Sequence, residues 1–145
     1  MKKKLVIVSG YFNPLHKGHI EYFHLAKQNG ERLLVIVNND NQRILKGSKA
    51  FMNEEERKLI INELKIVDDV LLSIDQDKSV IKSIELVHSK FSKEYDLIFA
   101  NGGDQSAKAI PEKDICKKLN IDLIDRMGDK IQSSSWLLNL NEDEN

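Results

Sequence analysis

An α/β domain built on a parallel sheet is what this 145-residue sequence predicts, and three observations predict it. Short, continuous apolar runs rich in Val, Ile and Leu read as strands buried on both faces. Segments with helical spacing alternate with them, and that alternation favours parallel strands joined by right-handed helical crossovers. The composition, 41% hydrophobic and 31% charged, is that of a globular chain. A single domain of this length buries roughly 68–70% of its unfolded surface, enough for one core without staples.

The elements follow in order. Leu5–Val8 is the first strand. His19–Gln28 is a helix stopped at Asn29-Gly30, a C-terminal signal because glycine tolerates the left-handed turn that ends helices. Leu33–Val37 is the second strand. Asn38–Met52 reads as a connection about twice or more the usual 4–6 residues, and long loops are often functional. Asn53 opens a capping-box pattern with Glu56 for a helix over Glu54–Leu64. Val70–Ile74 is the third strand and Val80–Lys90 the next helix. Leu97–Ala100 is the fourth strand. Pro111–Leu119 is a helix with proline in its first turn, where the missing N–H costs nothing. Ile121–Ile124 is a weaker fifth strand, and Ser133–Leu140 a final short helix. The domain is read as residues 1–140, with the acidic 141–145 as a frayed tail.

Several function classes fall away. The net charge of −1 offers no broad basic footprint for nucleic acid. The run after Met1-Lys2-Lys3-Lys4 is too short for a signal-peptide core. Nothing approaches the ~20 apolar residues of a membrane span, so a cytoplasmic protein is expected. One cysteine, Cys116, permits no internal disulfide and has no activating neighbour in sequence, so it reads as structural.

The chemistry concentrates where the first strand ends. In open α/β sheets ligands bind at the carboxyl edge, and there the sequence runs Gly10-Tyr11-Phe12-Asn13-Pro14-Leu15-His16-Lys17-Gly18-His19. Gly10 and Gly18 allow close backbone approach. The N-terminus of the following helix favours phosphate through its unpaired N–H groups and partial positive charge. His16 and His19, three apart, can each donate a hydrogen bond to a phosphate oxygen, most usefully where charge develops in a transition state. Lys46, with Lys49 nearby, offers a mobile point charge from the long loop. Asn101-Gly102-Gly103-Asp104 closes the fourth strand at the same edge, and Asp104 can meet a ribose hydroxyl or a hydrated magnesium ion. Ile131-Gln132-Ser133-Ser134-Ser135 opens the last helix and forms a second anion site.

The Gly10–His19 segment resembles the signature of the cytidylyltransferase-like nucleotidyltransferases, with His16-Lys17-Gly18-His19 standing as their His-x-Gly-His motif. The resemblance covers nearly the whole chain. It implies a Rossmann-like sheet of five parallel strands with helices on both faces. It implies magnesium-dependent attack of a small phosphorylated acceptor on the α-phosphorus of CTP or ATP, with release of pyrophosphate, and a homodimer. On its authority His16, His19, Lys46 and Arg57 take catalytic roles, Lys46 on the triphosphate and Arg57 towards the acceptor phosphate or the active site. Gly10, Tyr11, Phe12, Asn13, Gly18, Asn101, Gly102, Asp104, Met127, Ile131, Ser133 and Ser134 become nucleotide contacts. Asn13 stands where many cytidylyltransferases carry Asp, and Lys65 where some carry a second arginine. Met127-Gly128-Asp129-Lys130 lacks the arginine that precedes the serine motif in glycerol-3-phosphate enzymes, which brings the chain nearer the heptose-1-phosphate group there. Lys46 and Arg57 lean the other way, towards CTP.

Overall fold

The computed structural model describes residues 2–47, 49, 51–101 and 110–124. Five parallel strands form one sheet: β1 (Lys3–Gly10), β2 (Arg32–Val37), β3 (Asp69–Leu72), β4 (Tyr95–Ala100) and β5 (Asp122–Ile124). Their spatial order is β3-β2-β1-β4-β5. The chain therefore winds outward from β1 in one direction, then returns to the other side of β1 for β4. That reversal between β1 and β4 is the switch point at which open α/β sheets leave a crevice.

Each apolar run became a strand for the expected reason, since alternate residues face opposite layers. Leu5, Ile7, Leu34, Ile36, Leu97 and Phe99 point to one side, against α4 (Ile81–Phe91) and α5 (Lys113–Lys118). Val6, Val8, Leu33, Val35, Val37 and Ile98 point to the other, against α1 (Lys17–Lys27) and α3 (Glu54–Asn62). Helices thus cover both faces. Cys116 belongs to the first layer and is 1% exposed. Burial, with the Glu112 charge, pushes its thiol up to about 12, which fits the structural reading.

Several boundaries differ from expectation. The third strand ends at Leu72, because the backbone then turns so that Ser73 and Asp75 can join a buried polar network. Pro111 precedes α5, whose N-cap is Glu112. Asn53 does cap α3 through the Glu56 N–H, but Glu56 returns no bond; it is Glu54 that reaches out, to the Asp40 N–H. The largest difference is in the expected loop 38–52, where residues Asp40–Lys46 form a helix, α2. Asn39 and Gln42 make a reciprocal capping box at its start, and Gly47 ends it with φ +83°. The expected final helix and acidic tail lie outside the described residues. No described helix is long and apolar enough to cross a membrane.

Candidate active site

At the end of β1 the chain turns inward. Phe12 takes a left-handed φ of +51°, and its ring is buried. The ring folds back over Gly10, where an added Cβ would lie 2.7 Å from it. Gly10 therefore serves a close approach, as expected, and its neighbour is Phe12. The same ring meets His19 edge-on at 5.0 Å and Phe23 at 5.4 Å. Phe12 is thus the floor on which His19 rests.

Helix α1 begins two residues before the sequence reading placed it, so His16 is its N-cap and His19 its third residue. The two imidazoles form a capping box. His16 Nδ1 accepts from the Gly18 N–H at 3.1 Å, and His19 Nδ1 accepts from the His16 N–H at 3.1 Å. The rings stack with centroids 3.9 Å apart. One consequence is chemical: with both Nδ1 atoms accepting, each neutral ring carries its proton on Nε2. A second concerns anion binding. The N–H groups of Gly18 and His19 are already engaged with His16, so the donors this end can offer are chiefly Nε2–H groups. Burial, helped by the His16 charge, lowers His19 from 6.5 to about 4, so it is neutral at physiological pH.

Beside this loop stand α2 and the residues after it. Lys46 lies on the last turn of α2 rather than on a loose loop, with Nζ 4.4 Å from the centre of the Tyr11 ring. Asn13 uses its side chain on the same segment. Its amide nitrogen donates to Lys49 O at 2.8 Å, and its oxygen accepts from the N–H groups of Phe51 and Met52 at 3.0 Å each. Lys49 and Lys65 are exposed.

Arg57 is fully buried. Its guanidinium donates to Tyr11 O (2.8 Å), Asn38 O (2.7 Å), Met52 O (3.1 Å) and Asp40 Oδ1 (2.8 Å). Burial would raise the Asp40 carboxyl, yet the Glu54 N–H and the nearby Arg57 and Arg43 hold it below its ordinary value. The planar fork of Arg57 thus locks the β1–α1 loop, the end of β2 and the start of α3 together. Sequence reading placed Arg57 at the acceptor phosphate; the geometry gives it this positioning task. Gln42 was missed entirely. It is fully buried, accepts from Asn38 and Asn39, and donates to the carbonyls of Asp77 and Ser79. Its signal was present in the sequence, because Asn39-x-x-Gln42 is a capping-box spacing.

At the far side of the switch point, Asn101 follows β4 and donates its N–H to Ile124 O at 2.8 Å. The Tyr22 hydroxyl of α1 donates to Ala100 O at 2.5 Å, tying the histidine helix to the same strand end. Gly102, Asp104, Met127, Ile131, Ser133 and Ser134 lie outside the described residues. Among the described residues no three His, Cys, Asp or Glu side chains group to hold a metal. The β1–α1 loop thus carries two imidazoles with Nδ1 engaged, and the Lys46 ammonium rests against its Tyr11 ring.

The model of the cytidylyltransferase-like family matches residues 7–136. The chain belongs to that family. It is 41% identical over 68 residues to glycerol-3-phosphate cytidylyltransferase of Bacillus subtilis, covering 47% of this chain and 53% of that protein. It is 33% identical over 72 residues to FAD synthase of Picrophilus torridus, covering 50% and 52%. Bifunctional protein HldE of Cronobacter sakazakii is 34% identical over 130 residues, 82% of this chain but 27% of that protein. The chain thus matches about half the length of the first two relatives and about a quarter of the third. Among solved structures, the lipopolysaccharide core biosynthesis protein of Thermoplasma volcanium superposes with a TM-score of 0.63 at 26% identity. The match covers 84% of this chain and 94% of that one.

Proposed function

We propose that this member of the family is a nucleotidyltransferase that joins the cytidylyl group of CTP to a phosphorylated alcohol or sugar and releases pyrophosphate. The single observation that carries the reading is the histidine pair. Two imidazoles have their Nδ1 atoms fixed by backbone N–H groups, which leaves both Nε2–H groups for a ligand at the switch point. The name of the relative from Bacillus subtilis supports CTP and a phosphorylated alcohol.

In the proposed reaction an anionic phosphate oxygen of the acceptor attacks the α-phosphorus. A new P–O bond forms, and the bond from that phosphorus to the α–β bridging oxygen breaks. The bond electrons leave on pyrophosphate, and no base is required. Charge on the phosphoryl oxygens is greatest midway, and there preorganised donors lower the barrier. His16 and His19 donate through Nε2, and Lys46 adds a positive charge. Asp104, the residue expected to meet a magnesium ion, lies outside the described residues. The ion is proposed to arrive on the triphosphate, as Mg²⁺ commonly does, where its charge offsets the phosphates.

The test is a pyrophosphate-release screen crossing the four nucleoside triphosphates with phosphorylated alcohols and sugars. Turnover with at least one pair is expected. His16→Ala should lower kcat by roughly 10²–10³, the usual loss for a preorganised donor. A folded His16→Ala protein with turnover within about threefold of wild type would remove the histidine from the mechanism.

A further inference from the structure

We infer that Tyr11 is a positioning residue that holds the Lys46 ammonium over its ring beside the nucleotide loop; the inference rests on the triphosphate role proposed for Lys46. Two contacts on one helix carry it. The Tyr11 hydroxyl points to Gln42 O at 3.4 Å, and one turn later Lys46 Nζ sits 4.4 Å from the ring centre. The ring therefore lies along the last turn of α2. The backbone carbonyl of the same tyrosine is fixed by Arg57, and the next residue, Phe12, packs against His19. Tyr11 thus joins the lysine to the histidines through one rigid stretch.

The choice of an aromatic partner matters. An acidic partner would neutralise the lysine, and an incoming phosphate would have to displace it. An aromatic face attracts the cation through its quadrupole and uses none of its N–H donors. No carboxylate pairs with Lys46 among the described residues. Burial raises the Tyr11 phenol above its ordinary value even against the nearby Arg57 charge, so the ring stays neutral. The ordering of a flexible four-carbon stem is met before the nucleotide arrives.

The first measurement needs no nucleotide. Ring current from Tyr11 should shift the Lys46 ε-methylene protons upfield in NMR spectra of the full chain. Tyr11→Phe should keep that shift and Tyr11→Leu abolish it. The second measurement is calorimetric titration with CTP and with ATP, magnesium present. Tyr11→Leu should weaken binding of the preferred nucleotide about two- to fivefold, the size of an exposed cation–π contact, while Tyr11→Phe stays near wild type. In a Lys46→Met background, Tyr11→Leu should add nothing further. An unshifted ε-methylene signal in the wild-type protein, or a Tyr11→Leu loss that persists undiminished with Lys46→Met, overturns the inference. If the ring-current shift is present but Lys46→Met binds both nucleotides as well as wild type does, it is the triphosphate role of Lys46 that fails. Thermal melts of each variant separate misfolding from these outcomes, and Tyr11→Phe remains informative where Tyr11→Leu does not fold.

Discussion

His19 shows how a single residue couples binding chemistry to stability. Its ring is packed on Phe12 and stacked on His16, and its Nδ1 accepts a backbone N–H. Protonation would both bury a charge and turn that acceptor into a donor. This is why the folded value falls from 6.5 to about 4. A base with a depressed folded value binds fewer protons folded than unfolded, so stability rises with pH across the window between those values. The contribution is present above about 6.5, fades as the pH drops towards 4, and amounts to up to about 3 kcal/mol. His19→Asn should keep an acceptor near the Nδ1 position and lose the titration. Urea midpoints measured between pH 4 and 7 should therefore slope less steeply in His19→Asn than in wild type. Parallel slopes would show that His19 does not carry the acid sensitivity. Part of this was legible in the sequence: the spacing of His16 and His19 after a buried strand put both rings at the start of the next helix. The capping box was not, because it depends on which nitrogen of each ring meets the backbone. That choice is settled by the Phe12 floor, built from a left-handed residue that no local pattern announces.

At the scale of elements, α2 and α3 act as one support for the β1–α1 loop. The sequence shows Arg57 after three glutamates, a pattern that suggests an exposed ion pair worth little. The structure buries it, because its partners Tyr11, Asn38 and Asp40 come from segments 17 to 46 residues away. Helix α2 was hidden for a related reason. It is seven residues long, and its one fully buried side chain, Gln42, is polar, so apolar periodicity could not reveal it. Its ends were legible in the Asn39–Gln42 spacing and in Gly47. If Arg57 supports the frame, its loss is felt first in folding. Arg57→Met keeps the stem but strips Asp40 and three carbonyls of their donor, and breaking such a buried pair typically costs ~3–5 kcal/mol. Urea unfolding should show a loss of that size. Wild-type stability in Arg57→Met together with a large fall in pyrophosphate release would return the guanidinium to the acceptor phosphate.

At the scale of the whole molecule, the strand order decides where a nucleotide can lie. The described crevice has the β1 loop, the histidines and Lys46 on one side. On the other, β4 and β5 end together, joined by the bond from Asn101 N–H to Ile124 O. We propose that a nucleotide crosses that switch point with its phosphates at the histidines. The sequence places its base near Asn101–Asp104 and Met127–Ile131, and of these only Asn101 lies among the described residues. We hold to CTP on the resemblance carried by Lys46 and Arg57 and on the likeness to glycerol-3-phosphate cytidylyltransferase. The missing arginine before Ile131, which the resemblance links to the heptose-1-phosphate enzymes, keeps ATP as the competing base. A pocket shaped for a pyrimidine excludes adenine by size, whereas one shaped for adenine admits cytosine with its polar groups poorly matched. The two cases differ in the direction of the preference and in its completeness. Calorimetric titration of wild type with each nucleotide, magnesium present, should give the tighter dissociation constant for CTP and little heat with ATP. ATP binding more than tenfold tighter, about 1.4 kcal/mol, with CTP still binding weakly, would make the protein an adenylyltransferase and leave the proposed roles of His16, His19 and Lys46 unchanged.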